Sequence, residues 1–358
     1  MRAARFPALL ALTSLAMVQA ACGGVSNPTA PASPTPPAAA RFDYGGVTHV
    51  SWWHDEYGSP AASDSRRALA ATGVAWSGLL TTWYMERRTS NEIRPVANRS
   101  NADAVVRQAI GELHALGLKV MLKPHVDVED GTWRAQIEPQ DPALWFESYA
   151  AFLDHYVAIA SETRVEMLVV GSELASMSGA RYAGEWATLV ARVRARYPGL
   201  LTYAANGVEP GDEFTSVSFW SRLDVLGVDA YTPLTDKLNP TRQELQAGWR
   251  RNRYGHDMLA TFQNLQRAHA KPLIFTEVGY RSGNGANRAP WDWSTGLASD
   301  PAEQADCYAA LYEVWSRESA WMQGAFWWAW DVGAPPADDT GYNPRGKPAE
   351  DVLRQWQR

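Results

Sequence analysis

Glu166-Met167-Leu168-Val169-Val170-Gly171-Ser172-Glu173 is an apolar run that ends on a carboxylate, and Pro272-Leu273-Ile274-Phe275-Thr276-Glu277-Val278-Gly279-Tyr280 is a second. Each reads as a strand buried on both faces, the pattern of parallel sheets. Glu173 and Glu277 stand 104 residues apart, the length of three strand and helix units of about 35 residues each. Working outward at that spacing gives six further short apolar runs, at 46–50, 74–80, 119–124, 200–205, 225–228 and 324–328, with 166–170 and 273–276 in fourth and seventh place. Eight strands alternating with helices make a (β/α)₈ barrel, a fold of about 250 residues or more, and residues 42–358 are long enough for one. A doubly wound open sheet shows the same alternation, so periodicity alone does not separate the two. What separates them is where the polar residues fall, because barrel chemistry collects at the C-terminal ends of the strands.

The intervening helices announce themselves where start signals meet apolar stripes. Asp141 before Pro142 is a cap followed by a residue suited to the first turn, and Trp145, Tyr149, Phe152, Tyr156 and Ile159 then line one face. Asp300, Pro301 and Glu303 predict another start with a capping box. Val106, Ile110 and Leu113 form a third stripe after Ser100 and Asn101. Cys307 falls inside the helix begun at Asp300 and reads as a small core residue.

Composition narrows the function. The chain is 46% hydrophobic and 20% charged, so it has ample material for a core and is not a disordered chain. Its net charge of −6 excludes an electrostatic footprint for nucleic acid. Seventeen Trp, 14 Tyr and 9 Phe exceed ordinary packing needs and suggest an aromatic binding cleft. Two cysteines, Cys22 and Cys307, cannot supply a disulfide framework. No G-x-G-x-x-G, G-x-x-x-x-G-K-[ST] or G-x-S-x-G string is present.

The N-terminus is an address. Arg2 and Arg5, an apolar run over 6–18 and then small residues follow the plan of a secretory signal peptide over residues 1–21. The run is shorter than the roughly 20 apolar residues of a membrane span. Gln19-Ala20-Ala21-Cys22-Gly23-Gly24 resembles a bacterial lipobox with Cys22 as the lipidation site, although Gln19 departs from the usual aliphatic residue; ordinary cleavage after Ala20 is the alternative. Residues 22–41 carry Pro28, Pro31, Pro34, Pro36 and Pro37 among small residues, a semi-rigid tether. The expected protein is an exported cell-envelope lipoprotein, at the outer membrane or cell surface and otherwise secreted, with a catalytic domain over 42–358.

Two carboxyl groups converging over a barrel mouth suit glycosidic-bond cleavage. One must be protonated to release the leaving oxygen, and the other ionised to attack or to activate water. Burial and like-charge coupling would part their pKa values. Asp229, Glu209 and Asp331 are competing carboxylates.

Gly171-Ser172-Glu173-Leu174 and Phe275-Thr276-Glu277-Val278-Gly279-Tyr280-Arg281-Ser282 resemble glycoside hydrolase family 113. Lys123-Pro124-His125-Val126-Asp127 with Gly131-Thr132-Trp133-Arg134, and Phe326-Trp327-Trp328-Ala329-Trp330, are similar too, so the resemblance covers nearly all of 42–335. It implies a retaining, endo-acting β-1,4-mannanase with Glu173 as acid/base and Glu277 as nucleophile. Much of the wider clan has Asn where this chain has Ser172, which leaves open what replaces that side chain. The clan often places a Tyr against the nucleophile, and Tyr231 matches that position, with a purely structural Tyr as the alternative.

Other strand ends supply candidate sugar contacts. His125 and Asp127 alternate on one side of the third strand, and Asn206 ends the fifth. A zinc pair at His125 and Asp127 lacks the accompanying ligands, so neither metal nor cofactor is expected. Trp52, Trp53, Trp328 and Trp330 lie at the first and last strands, neighbours in a closed barrel, where some stack on sugar rings and the rest are core. The expected partner is a β-mannan type polysaccharide or oligosaccharide, handled by a monomer. The same fold acting on another β-linked glycan, a non-catalytic carbohydrate-binding lipoprotein and a structural adhesion protein are the competing readings.

Overall fold

The computed structural model describes residues 42–357. Eight parallel strands close on themselves in sequence order: β1 (Tyr44–His49), β2 (Trp76–Met85), β3 (Lys119–Val128), β4 (Met167–Ser172), β5 (Leu200–Asn206), β6 (Leu226–Asp229), β7 (Leu273–Val278) and β8 (Met322–Trp330), with β8 hydrogen-bonded back to β1. All eight sequence-predicted strands are present. The helices around them are α1 (Pro60–Ala70), α2 (Asp103–Ala115), α3 (Pro142–Thr163), α4 (Ala183–Arg194), α5 (Arg242–Gly248), α6 (Met258–His269), α7 (Pro301–Trp315) and α8 (Pro348–Gln357). The sequence-predicted signal peptide, Cys22 and the Pro-rich tether lie outside the described residues. Among the described residues no helix is long and apolar enough to cross a membrane.

The start signals work unevenly, for local reasons. Asp141 accepts hydrogen bonds from the Ala143 and Leu144 amides at 2.9 and 3.2 Å, and every residue of the predicted α3 stripe is buried. Asp300 caps α7 by accepting from the Glu303 amide at 3.0 Å. The other half of the expected capping box is missing, because the Glu303 carboxylate turns to the amides of Gly285 and Asn287 and the Asn287 side chain, at 2.7–3.0 Å. It thereby braces the loop after β7. Ser100 and Asn101 do not cap α2, which starts after Ala102; Asn101 instead donates to Ser51 Oγ and the Trp53 carbonyl.

Strands β2 and β3 run longer than the sequence predicts, pairing residue for residue from Trp76 with Lys119 to Met85 with Val128. Polar Thr81, Thr82, Lys123, His125 and Asp127 interrupt their apolar runs and hide their true length. On its other edge β3 pairs with β4 only at Met121 and Leu122. Pro124 has no N–H to give, and beyond Leu122 the two strands share no further ladder.

The barrel interior is layered. Trp76, Met121, Met167, Val169, Ala204, Val225, Ile274 and Phe326 form an apolar plug, and the polar residues lie nearer the C-terminal ends of the strands. Most of the aromatic excess sits in the layer between sheet and helices rather than in a cleft: Trp145, Trp186, Trp220, Trp249, Trp315, Trp327 and Trp330 are fully buried. The most exposed tryptophans, Trp52, Trp53, Trp133, Trp291 and Trp293, all belong to loops that leave the C-terminal ends of β1, β3 and β7.

Candidate active site

The mouth of the barrel is built on a buried cation. Lys123 points inward from β3 and its ammonium has no exposure; it donates to both oxygens of Asp229 at 3.0 and 3.1 Å and to Glu277 Oε1. An unpaired charge there would cost several kcal/mol, roughly the desolvation of one ion, so Lys123 and the two carboxylates form one unit. Burial pulls the Lys123 pKa down, but Asp229 and Glu277 outweigh it and hold it above its ordinary value. Asp229 also accepts from Thr276 Oγ1 at 2.7 Å and Ser172 Oγ at 3.3 Å. Burial, then the neighbouring Glu277, push the Asp229 pKa well up, against the pull of Lys123. Its oxygens are occupied and shielded, so Asp229 is a floor to the site rather than a competitor for the reaction. Ser172 meets that floor with its hydroxyl.

Glu277 accepts a second hydrogen bond, at Oε2, from the Tyr231 hydroxyl at 2.7 Å. Two donors, one of them cationic, ask this side chain to accept as a carboxylate does. The His125 Nε2 atom stands 3.7 Å from Glu277 Oε1 and is buried without a hydrogen-bond partner. Burial, Arg134 and Lys123 lower the His125 pKa well below its usual value, so its ring is neutral.

Glu173 has the opposite surroundings. It follows β4 in the left-handed backbone region, with φ of 52°, and its amide donates to the Ala204 carbonyl at 2.8 Å. Its Oε2 accepts from Trp133 Nε1 at 3.3 Å and from an Arg134 nitrogen at 3.0 Å. Arg134 is in turn anchored by Asp127 and the Val126 carbonyl. Burial raises the Glu173 pKa, Arg134 lowers it, Glu277 raises it again, and the balance lies above the ordinary carboxyl range. A carboxyl inclined to hold its proton therefore faces one arranged to accept.

That pairing depends on broken strand regularity. Thr276 and Glu277 are consecutive, and strict alternation would send them to opposite faces. Both nevertheless reach the interior cluster, Thr276 to Asp229 and Glu277 to Lys123. The β7–β8 register shifts between Phe275 and Val278, and the β4–β5 register shifts between Val169 and Ser172, just before Glu173. Irregularities of this kind re-aim side chains.

The remaining sequence-predicted residues divide. Trp328 lies nearly parallel to His125, with ring centroids 6.3 Å apart and 4° between planes, and Trp52 meets Trp328 edge-on at 6.3 Å. Together the three rings make one wall. Trp53, the next residue in the chain after Trp52, is 58% exposed. Trp330 is corrected: it is fully buried, its indole N–H donating to Ser65 Oγ at 3.0 Å, so it offers no face to a sugar. Asp127 holds Arg134 rather than standing free in the cleft. Asn206 is nearly buried, with its amide donating to Glu213 Oε2 at 2.9 Å. Glu209 lies 2.5 Å from His256 on the loop after β5, and Asp331 is raised by burial and eased by Asn343, away from the Lys123 cluster.

Sequence reasoning missed Lys123, Trp133, Arg134 and Glu213 as site residues. Lys123 had a signal, lying two positions before His125 on the same strand face, and Trp133 and Arg134 stood inside a quoted motif. Among the described residues no group of three or more His, Cys, Asp or Glu side chains is placed to hold a metal ion.

The family model for Glycoside Hydrolase Family 113 matches residues 48–347. A GH113 β-1,4-mannanase solved as a complex superposes with a TM-score of 0.77 at 28% identity, covering 88% of this chain and 99% of that one. The GH113 β-mannanase AaManA from Alicyclobacillus acidocaldarius, in complex with ManMIm, gives 0.77 at 31% identity, covering 89% and 99%. A glycoside hydrolase family 5 mannosidase from Rhizomucor miehei shares the fold, at 13% identity and a TM-score of 0.58 over 88% and 93% of the chains. No curated protein matches the chain.

Proposed function

Because this chain belongs to glycoside hydrolase family 113, we propose that it is a retaining endo-β-1,4-mannanase in which Glu277 is the nucleophile and Glu173 the acid/base. The observation that carries the reading is the contrast between the two carboxyl groups. Burial keeps the Glu173 pKa raised, while Lys123 and Tyr231 both donate to Glu277. Glu277 attacks the anomeric carbon as Glu173 gives its proton to the departing glycosidic oxygen. Glu173, now ionised, takes a proton from water, whose oxygen adds to the anomeric carbon and returns Glu277 as a carboxylate. The similarity to solved β-mannanases supports mannan as the glycan.

Incubation of the 42–358 domain with β-mannan, beside Glu173→Gln and Glu277→Gln, tests the reading. Short manno-oligosaccharides from the parent are expected, with each variant down by roughly three orders of magnitude or more. The first product should carry the β-anomeric configuration by NMR. Full activity in either variant, or an α product, refutes the assignment. The leader and Cys22 carry the second part of the proposal, a lipid-anchored enzyme of the cell envelope. Mass spectrometry of membrane-extracted protein should find acylated Cys22 at the N-terminus, and Cys22→Ala should abolish membrane retention.

A further inference from the structure

Beneath the loop that carries Glu173 lies a buried carboxylate that the reaction does not use. Glu213 sits in a short 3₁₀ turn (Glu213–Thr215) after β5 and is 6% exposed. It receives hydrogen bonds only from structural donors. Its Oε1 accepts from the Tyr203 hydroxyl and from Ser178 Oγ at 2.8 Å, and its Oε2 accepts from the Asn206 amide at 2.9 Å. The Tyr203 hydroxyl accepts in turn from the Leu174 amide at 2.8 Å. Tyr203 and Asn206 belong to β5, whereas Leu174 and Ser178 belong to the segment that begins with Glu173. One carboxylate therefore ties both ends of that segment to the neighbouring strand.

The tie falls where the backbone needs it. A non-glycine residue at φ of 52° costs about 1 kcal/mol or more, and Glu173 holds that conformation. Its own amide is fixed on the Ala204 carbonyl, and the next amide is fixed on Tyr203. Gly171 makes room for the second contact: a Cβ there would stand 2.7 Å from the Tyr203 ring and 2.8 Å from the Tyr149 hydroxyl. With no side chain at 171, the Tyr203 ring lies against β4 and its hydroxyl reaches past to Leu174.

We propose that Glu213 is a positioning residue for Glu173, acting through Tyr203 and the Leu174 amide to hold the acid/base carboxyl against the leaving oxygen. The inference rests on the reading of Glu173 as acid/base. Burying an acceptor-only carboxylate is costly, and burial, opposed by these hydrogen bonds, pushes the Glu213 pKa up to about 7. A site that needed only packing there would be served by an apolar side chain.

Positioning separates from general support by the leaving group. A 2,4-dinitrophenolate departs without protonation, so bond cleavage in a 2,4-dinitrophenyl β-mannobioside needs no acid, whereas mannan requires one. Glu213→Gln and Tyr203→Phe should lower kcat/KM on mannan by about 30- to 100-fold, as expected for a misplaced acid, and leave kcat/KM on the aryl substrate within about threefold. Tyr203→Phe keeps the ring and removes only the hydroxyl, so it preserves the test where Glu213→Gln folds poorly. Equal losses on both substrates, or no loss on mannan, overturn the proposal. Glu173→Ala is run alongside. If it too fails to discriminate between the substrates, the acid/base reading has failed; if it discriminates and the other two variants do not, only the positioning role has.

Discussion

Replacing Lys123 by Met removes one charge and little volume, and the structure sets what must follow. The ammonium is wholly buried and bridges Asp229 and Glu277. Deleting one member of a buried charged unit strands its partners, at a cost of about 3–5 kcal/mol. For a domain of this size each kcal/mol lowers the melting temperature by about 1.5 °C, so a fall of roughly 5–8 °C is expected near neutral pH. The loss must depend on pH, with a definite sign. Asp229 is already held well above its ordinary pKa, and Lys123 is the charge that pulls it back. The parent shares the sign of this slope because its Asp229 is raised too, but without Lys123 that pKa rises further, so the variant's stability climbs more steeply than the parent's as pH falls from neutrality toward the unfolded value near 3.9.

Lys123 adds no slope of its own in that window. Its folded pKa is raised, so its contribution is complete below about pH 10 and is lost only above it. Thermal melts of both proteins at about pH 5 and pH 8 should therefore show a gap that is wide at the higher pH and narrow at the lower. Adding Asp229→Asn to Lys123→Met should return most of the lost melting temperature without returning hydrolysis, because Glu277 still lacks its cation. A gap that is the same at both pH values, or a double variant as unstable as the single one, would refute the idea that these three groups form one electrostatic unit.

Removing the Tyr231 hydroxyl with Tyr231→Phe deletes a 2.7 Å bond to Glu277; a hydrogen bond to a charged group is worth about 1.5–3 kcal/mol, so kcat on mannan should fall roughly 10- to 100-fold with a small change in melting temperature. Arg134→Leu takes away the charge that lowers the Glu173 pKa against burial, so the high-pH limb of the kcat/KM profile should move to higher pH, and a shift to lower pH would contradict the assignment. The tryptophans at the first and last strands should separate cleanly. Trp52→Ala should raise KM on mannan and leave the melting temperature nearly unchanged, since its ring is half exposed against Trp328. Trp330→Ala should instead cost about 3–5 kcal/mol of stability, read in denaturant melts, as truncation of a buried aromatic does.

The sequence reveals the barrel because each strand carries its own apolar run and each helix its own stripe, signals that need no knowledge of neighbours. The site is less legible because its residues are placed by register. Alternation predicts that Trp328 and Trp330 share a face, yet Trp328 lies against His125 beside Glu277 and Trp330 is bonded to Ser65 in the core; the β1–β8 ladder shifts between Val47 and His49, opposite these residues. Alternation also separates Thr276 from Glu277, and a shift in β7 reunites them on the Lys123 cluster. Lys123 escaped notice as a site residue because lysine in a strand ordinarily faces solvent. Its burial follows only once Asp229 and Glu277, more than a hundred residues downstream, are brought beside it by closure of the sheet.

Three failures of the period-two rule coincide with features of the candidate site: the register shift before Glu173, the turn of Glu277 inward, and the aromatic wall. A regular ladder offers one inward side chain per two residues, and a cluster of Lys, Asp, Glu, Thr and Tyr converging on a few ångströms needs more than that. The irregularities at β4, β7 and β8 supply extra inward positions above the apolar plug that fills the barrel. Regular parts of this sequence therefore report the fold, and chemistry is to be sought where the pattern slips.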